Sequence, residues 1–214
     1  NIGNTKKLSE SIDEYFGATE LEKNENAEIT TVYKLRQKSL NKIPASFWTT
    51  LKKIIEPSSG KGGYIVDIIE RFMIGLKDVI PDEKKRYKTI VEECVYFSDI
   101  NPTNIFICKL LIDPYNKYKL NYNEGNTLEL DITKTTEHWK GVEGFDLHVC
   151  NPPYEANTNG KRQALNNNLW SVFLNWSYER LNEDGLMLYI TPTSWMSPTS
   201  KNKEIFYKNH ILYL

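Results

Sequence analysis

Along the chain, apolar positions switch repeatedly between helical spacing and the short uninterrupted runs of buried strands. Ile65, Ile68, Ile69, Phe72 and Met73 recur every three or four residues, which predicts a helix with one core-facing stripe. Ile54–Glu56, Val95–Asp99, Phe145–Cys150 and Leu186–Ile190 read as strands, and a third strand region spans 118–122 and 127–130 around Glu124-Gly125-Asn126. Pro102 opens a helix running to Leu111, as a proline suits the first turn, and a second helix is predicted from Leu169 to Leu181. Upstream, residues 5–41 are charged and helix-prone, with Leu8, Ile12, Tyr15 and Phe16 spaced for one apolar face and a break at Lys23-Asn24-Glu25-Asn26. The alternation predicts an α/β fold, a mostly parallel sheet with helices on both faces, preceded by an N-terminal helical arm over residues 1–42. The main domain then covers 43–214, and Ile211–Leu214 reads as the start of a sixth strand.

Composition narrows the class without naming a function. With 214 residues, 40% hydrophobic and 12% aromatic, the chain can bury one good core. A formal charge of −1 gives no global basic character, so attraction to a polyanion would rest on local clusters such as Lys52-Lys53, Lys161-Arg162 and Lys201-Asn202-Lys203. Each of these also reads as plain solvated surface. Cys94, Cys108 and Cys150 have no metal-ligand spacing and lie in apolar stretches, which predicts reduced core thiols. No stretch reaches the length of a membrane span, so a soluble, cytoplasmic protein is expected.

Two short stretches carry chemistry. Asn151-Pro152-Pro153-Tyr154 directly follows the apolar run 145–150, placing an amide, two stiff prolines and an aromatic ring at the end of a buried strand. An Asn oxygen and a neighbouring carbonyl can accept both hydrogens of an exocyclic amine while the Tyr ring stacks on the heterocycle bearing it. A Pro-Pro strand stop is the plain alternative. Upstream, Glu56-Pro57-Ser58-Ser59-Gly60-Lys61-Gly62-Gly63 forms a glycine-rich turn between a strand and a helix. Such turns let a backbone approach a ligand closely, but neither the P-loop nor the dinucleotide spacing is present. Glu56 disfavours a phosphate and suits a cationic or hydroxylated ligand.

Taken together and in this order, the two motifs resemble the Asn-Pro-Pro-Tyr type of N6-adenine DNA methyltransferases found in restriction-modification systems, over roughly residues 43–214. The resemblance implies a Rossmann-like S-adenosylmethionine-dependent fold. It places Glu56, Pro57, Ser58, Gly60 and Gly62 around the methionine part of S-adenosyl-L-methionine, Asp99 on the ribose hydroxyls and Ile100 on the cofactor adenine. Asn126 stands where the family usually has an Asp that accepts from the cofactor's amino group; Asp131 is a rival. Asn151 and the Pro152 carbonyl would accept from the target amine, with Pro153 stiffening the turn and Tyr154 stacking on an adenine flipped out of double-stranded DNA. Glu155–Asn168 is either a lid near DNA phosphates or a solvated loop. The resemblance also implies a recognition region beyond Leu214 and leaves open a nuclease on the same or another chain.

Three further residues are weighed singly. Asp99 is alternatively a helix N-cap, Trp195 reads as core ahead of pocket wall, and His148 as a satisfied core histidine. An RNA adenine or a protein glutamine poses the same problem of a delocalised nitrogen, so these acceptors remain alternatives. A different class, an inactive cofactor-binding scaffold or DNA-recognition subunit, is disfavoured by the intact tetrapeptide.

Overall fold

The computed structural model describes residues 5–15, 30–132, 139, 141–154, 168–197 and 199–213. Five strands form one all-parallel sheet in the order β3-β2-β1-β4-β5, with β1 Ile54–Glu56, β2 Val95–Asp99, β3 Asn121–Glu124, β4 Phe145–Cys150 and β5 Leu181–Tyr189. The helices are α1 Thr5–Tyr15, α2 Tyr33–Leu40, α3 Gly63–Gly75, α4 Glu83–Thr89, α5 Pro102–Ile112, α6 Leu169–Tyr178 and α7 Lys203–Lys208. The predicted α/β architecture is thus present, and strand order reverses between β1 and β4.

Side-chain alternation sends successive residues of each strand to opposite faces. Ile54, Val95, Phe97, Leu147 and Val149 pack with α3 and α5 residues in the larger core. Ile55, Tyr96, Phe145 and Trp176 pack with Trp139 and Val142 on the other face. Phe145 and Leu147 share parity yet face opposite sides, because β4 carries a bulge at Asp146. The carbonyl of Lys53 accepts from both Asp146 N, at 2.8 Å, and Leu147 N, at 3.3 Å, while Asp146 Oδ2 accepts from Lys53 N at 2.7 Å. A bulge of this kind re-aims every later side chain on its strand.

Several predicted boundaries move. Tyr118–Leu120 lie outside β3, whose pairing begins with Tyr96 opposite Asn121 because β2 starts only at Val95. Thr127–Glu129 form a 3-10 turn capped by Asn126 instead of continuing the strand. The helix predicted to Leu181 ends at Tyr178, and Leu181 already pairs with Phe145; the chain then loops out through Asp184 (φ 59°) before Leu186 resumes opposite Leu147. Ile211–Tyr213 form no sixth strand and are exposed, with the ring of Tyr213 beneath Lys42 Nζ at 4.4 Å. In α1, Ile12 is buried but Tyr15 is exposed, so the apolar stripe is narrower than expected. Phe16, the break at 23–26, and His138 lie outside the described residues.

The polar segment after Pro81 is helical because Asp82 caps it, accepting from Lys85 N at 2.6 Å. Cys94, Cys108 and Cys150 are buried and free, as expected. Trp170 and Trp176 are core, whereas Trp195 is only half-buried and stacks on Phe206 at 4.3 Å, correcting its reading as core. Phe206, which covers its ring, belongs to the short helix α7. No helix among the described residues is long and apolar enough to cross a membrane, and no group of three or more His, Cys, Asp or Glu among them could hold a metal ion.

Candidate active site at the sheet switch point

In an open parallel sheet, ligands bind beyond the carboxyl ends of the strands where the order reverses. Glu56 ends β1, Asp99 ends β2, and Asn151 immediately follows β4, the strand beside β1 across the reversal. The glycine turn between β1 and α3 fills the space between them. Gly60 and Gly62 have φ of 49° and 82°, and a Cβ on Gly62 would meet Cys108 Sγ at 2.9 Å, so both backbone and space call for glycine there. Cys108 lies behind the turn, its thiol 3.4 Å from the Gly60 carbonyl, and burial pushes that thiol well above its ordinary range.

Asp99 ties the turn to the neighbouring strand. Its Oδ2 accepts from Gly60 N at 2.8 Å, and its Oδ1 accepts from Asn101 N at 2.8 Å and from Asn104 Nδ2 at 3.2 Å. The N-cap of α5 is Asn101, whose side chain accepts from Thr103 N, so capping falls two residues after Asp99. Ile100 projects beside Asp99 and is exposed. Asn126 uses its Oδ1 to cap the 3-10 turn, accepting from Leu128 N at 3.1 Å, and its Nδ2 donates to Glu129 at 2.7 Å. Asp131 is exposed further along.

A donor chain unforeseen in the sequence braces the turn from behind. Asn123 Nδ2 donates to Ser98 Oγ at 3.0 Å, and Ser98 lies 2.6 Å from the Thr127 hydroxyl, which donates to the Pro57 carbonyl at 2.6 Å. Thr127 can give its one proton to Pro57 only if Ser98 donates to Thr127. The ends of β1, β2 and β3 are thereby linked through side chains. Small hydroxyls after strands are the one sequence signal that could have suggested this.

Glu56 is the electrostatic anomaly of the site. It is almost fully buried, and its Oε2 lacks a hydrogen-bond partner. Burial pushes its carboxyl well above the ordinary range; Arg36 opposes that rise, while Asp99 and Asp67 add to it. A buried carboxyl oxygen without a hydrogen-bond partner, beside a glycine turn, has the chemistry to accept a cation or a hydrogen-bond donor.

Asn151 is half-buried, its Nδ2 donating to Thr31 Oγ1 at 3.0 Å and its Oδ1 receiving the Tyr154 hydroxyl at 3.4 Å. Alternation after the bulge carries Asn151 to the face of Leu147 and Val149, the face on which α2 and α3 pack. Thr31 itself is held by Arg36, whose Nη1 donates to the Thr31 carbonyl and whose Nε donates to Asp67 Oδ2 on α3 at 2.7 Å. Pro152 is buried and Pro153 and Tyr154 are half-buried. Tyr154 is anchored by its carbonyl, which accepts from Leu169 N at 3.2 Å. Residues 155–167, with Lys161 and Arg162, lie outside the described residues. His148, fully buried, sits 3.2 Å from the Arg180 carbonyl with its other ring nitrogen unpartnered, and burial lowers it to about 4. It is a neutral core histidine, as expected, but only one of its ring nitrogens is satisfied.

Residues 93–213 match the sequence profile of the Eco57I restriction-modification methylase family. No curated protein matches the chain. Among solved structures, the chain is similar to one in the cryoEM structure of a DrdV-DNA complex, at 18% identity and a TM-score of 0.60, covering 92% of this chain and 24% of that one. A Listeria monocytogenes protein described as a class I S-adenosylmethionine-dependent methyltransferase matches at 11% identity and a TM-score of 0.60, over 96% of this chain and 58% of the other. The M protein of the type I restriction enzyme EcoKI matches at 16% identity and a TM-score of 0.51, over 78% and 36%. The chain therefore spans less than two thirds of each of these structures, and the likeness establishes a shared class I methyltransferase fold.

Proposed function

Because the chain belongs to the Eco57I restriction-modification methylase family, we propose that it methylates the N6 amino group of an adenine flipped out of double-stranded DNA. The methyl donor of a methylase with this fold is S-adenosyl-L-methionine, and the residues present fit it. The orphaned Oε2 of Glu56 beside the positive-φ glycines suits the ammonium of the methionine part. When bound, this cofactor supplies an electrophilic sulfonium methyl. Pro57, Ser58, Gly60 and Gly62 would line its methionine part, Asp99 its ribose, and Ile100 and Asn126 its adenine.

The observation that carries the reading is the polarity of Asn151. With Nδ2 turned to Thr31, its Oδ1 is presented as an acceptor at the end of β4. Oδ1 and the Pro152 carbonyl together accept the two N–H groups of an adenine amine. That pulls the nitrogen from planar toward tetrahedral and frees the lone pair otherwise delocalised into the ring. Tyr154 stacks on the base, a contact worth roughly 1–3 kcal/mol. Positioning and preorganised acceptors supply the rate, without a thiolate or a strong base. In this reading residues 1–42 are an arm of the catalytic domain 43–214, the protein works in the cytoplasm, and recognition or nuclease regions belong to the same or another chain.

The test is incubation of the full-length protein with tritiated S-adenosylmethionine and duplex DNA, RNA and protein acceptors, followed by nucleoside analysis of the labelled product. Label in N6-methyldeoxyadenosine from DNA is expected. Label confined to RNA or protein, or none at all, rejects the reading.

A further inference from the structure

We propose that Thr127 is a positioning residue for the cofactor, fixing the separation of the two turns that receive its methionine and adenine ends. The inference rests on the cofactor placement given above, with Glu56 and the glycine turn at one end and Asn126 at the other. Those turns follow β1 and β3, which are not neighbours, since β2 lies between them. Adjacent strands are about 4.8 Å apart, so β1 and β3 leave the sheet roughly 10 Å from each other. Thr127 closes that gap. Its hydroxyl donates to the Pro57 carbonyl at 2.6 Å, a contact between residues 70 apart in the sequence.

The ends of this hydrogen-bond chain settle the direction of every proton in it. The Pro57 carbonyl can only accept, so the Thr127 proton goes there, and the Ser98 hydroxyl 2.6 Å away donates to Thr127. Ser98 in turn accepts from Asn123 Nδ2 at 3.0 Å, and the Gly125 carbonyl, 3.4 Å from the same nitrogen, also calls for a donor. Ser98 and Thr127 are both buried, and the Ser98 carbonyl holds the glycine turn a second time by accepting from Ser59 N at 2.9 Å. The bridge therefore spans the same three strand ends that carry Glu56, Asp99 and Asn126, in the order in which methionine, ribose and adenine would lie. A ligand gripped at two ends gains the full affinity of both only when their spacing is set beforehand.

The test compares Thr127→Val, which removes the donor and keeps the shape, with Thr127→Ser, which keeps the donor. The full-length protein is titrated calorimetrically with S-adenosylmethionine, and with 5′-methylthioadenosine, which lacks the amino-acid end, in competition against it. Thr127→Val is expected to weaken the whole cofactor about tenfold, as loss of one buried hydrogen bond allows, and the nucleoside fragment far less. Thr127→Ser should restore cofactor affinity. Tyr87→Phe is the matched control: it removes a hydroxyl-to-carbonyl bond of the same 2.6 Å length, to Ile112 at the far end of α5. It should lower denaturant stability comparably and leave cofactor affinity unchanged. Unchanged cofactor affinity in Thr127→Val, an equal loss for cofactor and fragment, no rescue by Thr127→Ser, or an equal cofactor loss in Tyr87→Phe overturns the proposal while the cofactor placement stands. A wild-type protein that binds no S-adenosylmethionine rejects the placement and the proposal together.

Discussion

Arg36 and Asp67 form an ion pair of 2.7 Å that is almost completely closed to solvent and joins α2 to α3. Removing one partner strands a buried charge, which typically costs about 3–5 kcal/mol, whereas replacing both with apolar groups can be close to neutral. Arg36→Met and Asp67→Leu should each lower denaturant stability by that order, and the double variant should recover much of the loss. Additive single losses in chemical denaturation would argue against a coupled pair.

Asn151→Ala should reduce methyl transfer by roughly 10²–10³, the range for removing one preorganised group aimed at a reacting centre. Cofactor affinity should hardly change, since the amide addresses the target amine. Asp99→Ala should show the opposite bias, weakening the cofactor by releasing Gly60 N–H and the turn it anchors. Calorimetry with S-adenosylmethionine beside single-turnover rates reads both; normal turnover in Asn151→Ala removes the role assigned to that side chain.

Glu56 gives a proton-linked signature. Its carboxyl is held well above the ordinary 4.5 by burial, so the free protein carries a proton there up to that raised pKa. A bound cation favours the carboxylate and lowers the pKa, so cofactor binding releases a proton in the pH window between the lowered bound-state pKa and the raised free-state pKa, and none above or below that window. Calorimetric titrations in buffers of different ionisation heat should report this release, and Glu56→Gln should abolish it while weakening binding. Buffer-independent heats in the wild-type protein across that range would exclude the pairing.

These two acidic groups also mark what the chain disclosed by itself. Glu56, Asp99 and Asn151 were legible because buried parallel strands are continuous apolar runs, and the polar residue closing each run stands out. β3 was misplaced because its residues are polar: Asn121 spends its amide on the carbonyls of Val91, Glu92 and Val95, a pattern no periodicity reports. The start of β5 was hidden for a related reason, since Asn182-Glu183-Asp184-Gly185 is polar and ends in glycine, yet it lies within the strand as an irregularity between the residues paired with Phe145 and Leu147. Thr31 was invisible because its contact to Asn151 closes 120 residues of chain. Trp195 was misjudged since its cover depends on α7.

His148 predicts an acid limb. Its pKa falls from an ordinary 6.5 to about 4 in the fold, so between those values the unfolded chain binds the proton and the native state does not. Stability contributed by the neutral ring is complete above pH 6.5 and is lost as pH falls toward 4, by about 3 kcal/mol in all. Between pH 7 and 4, His148→Gln should therefore lose less stability than the wild-type protein. Parallel stability profiles would show that other groups govern acid unfolding.

The order β3-β2-β1-β4-β5 has a consequence for how the protein is made. Every neighbouring pair is parallel, so each must await a long crossover, and non-local pairing of this kind slows folding. Glu56, Asp99 and Asn151 come from three different strands, and β4 joins beside β1 only after β2 and β3 have been synthesised. A nascent chain can display its glycine turn early, but the acceptor amide arrives last, so no partly assembled intermediate holds both halves of the site.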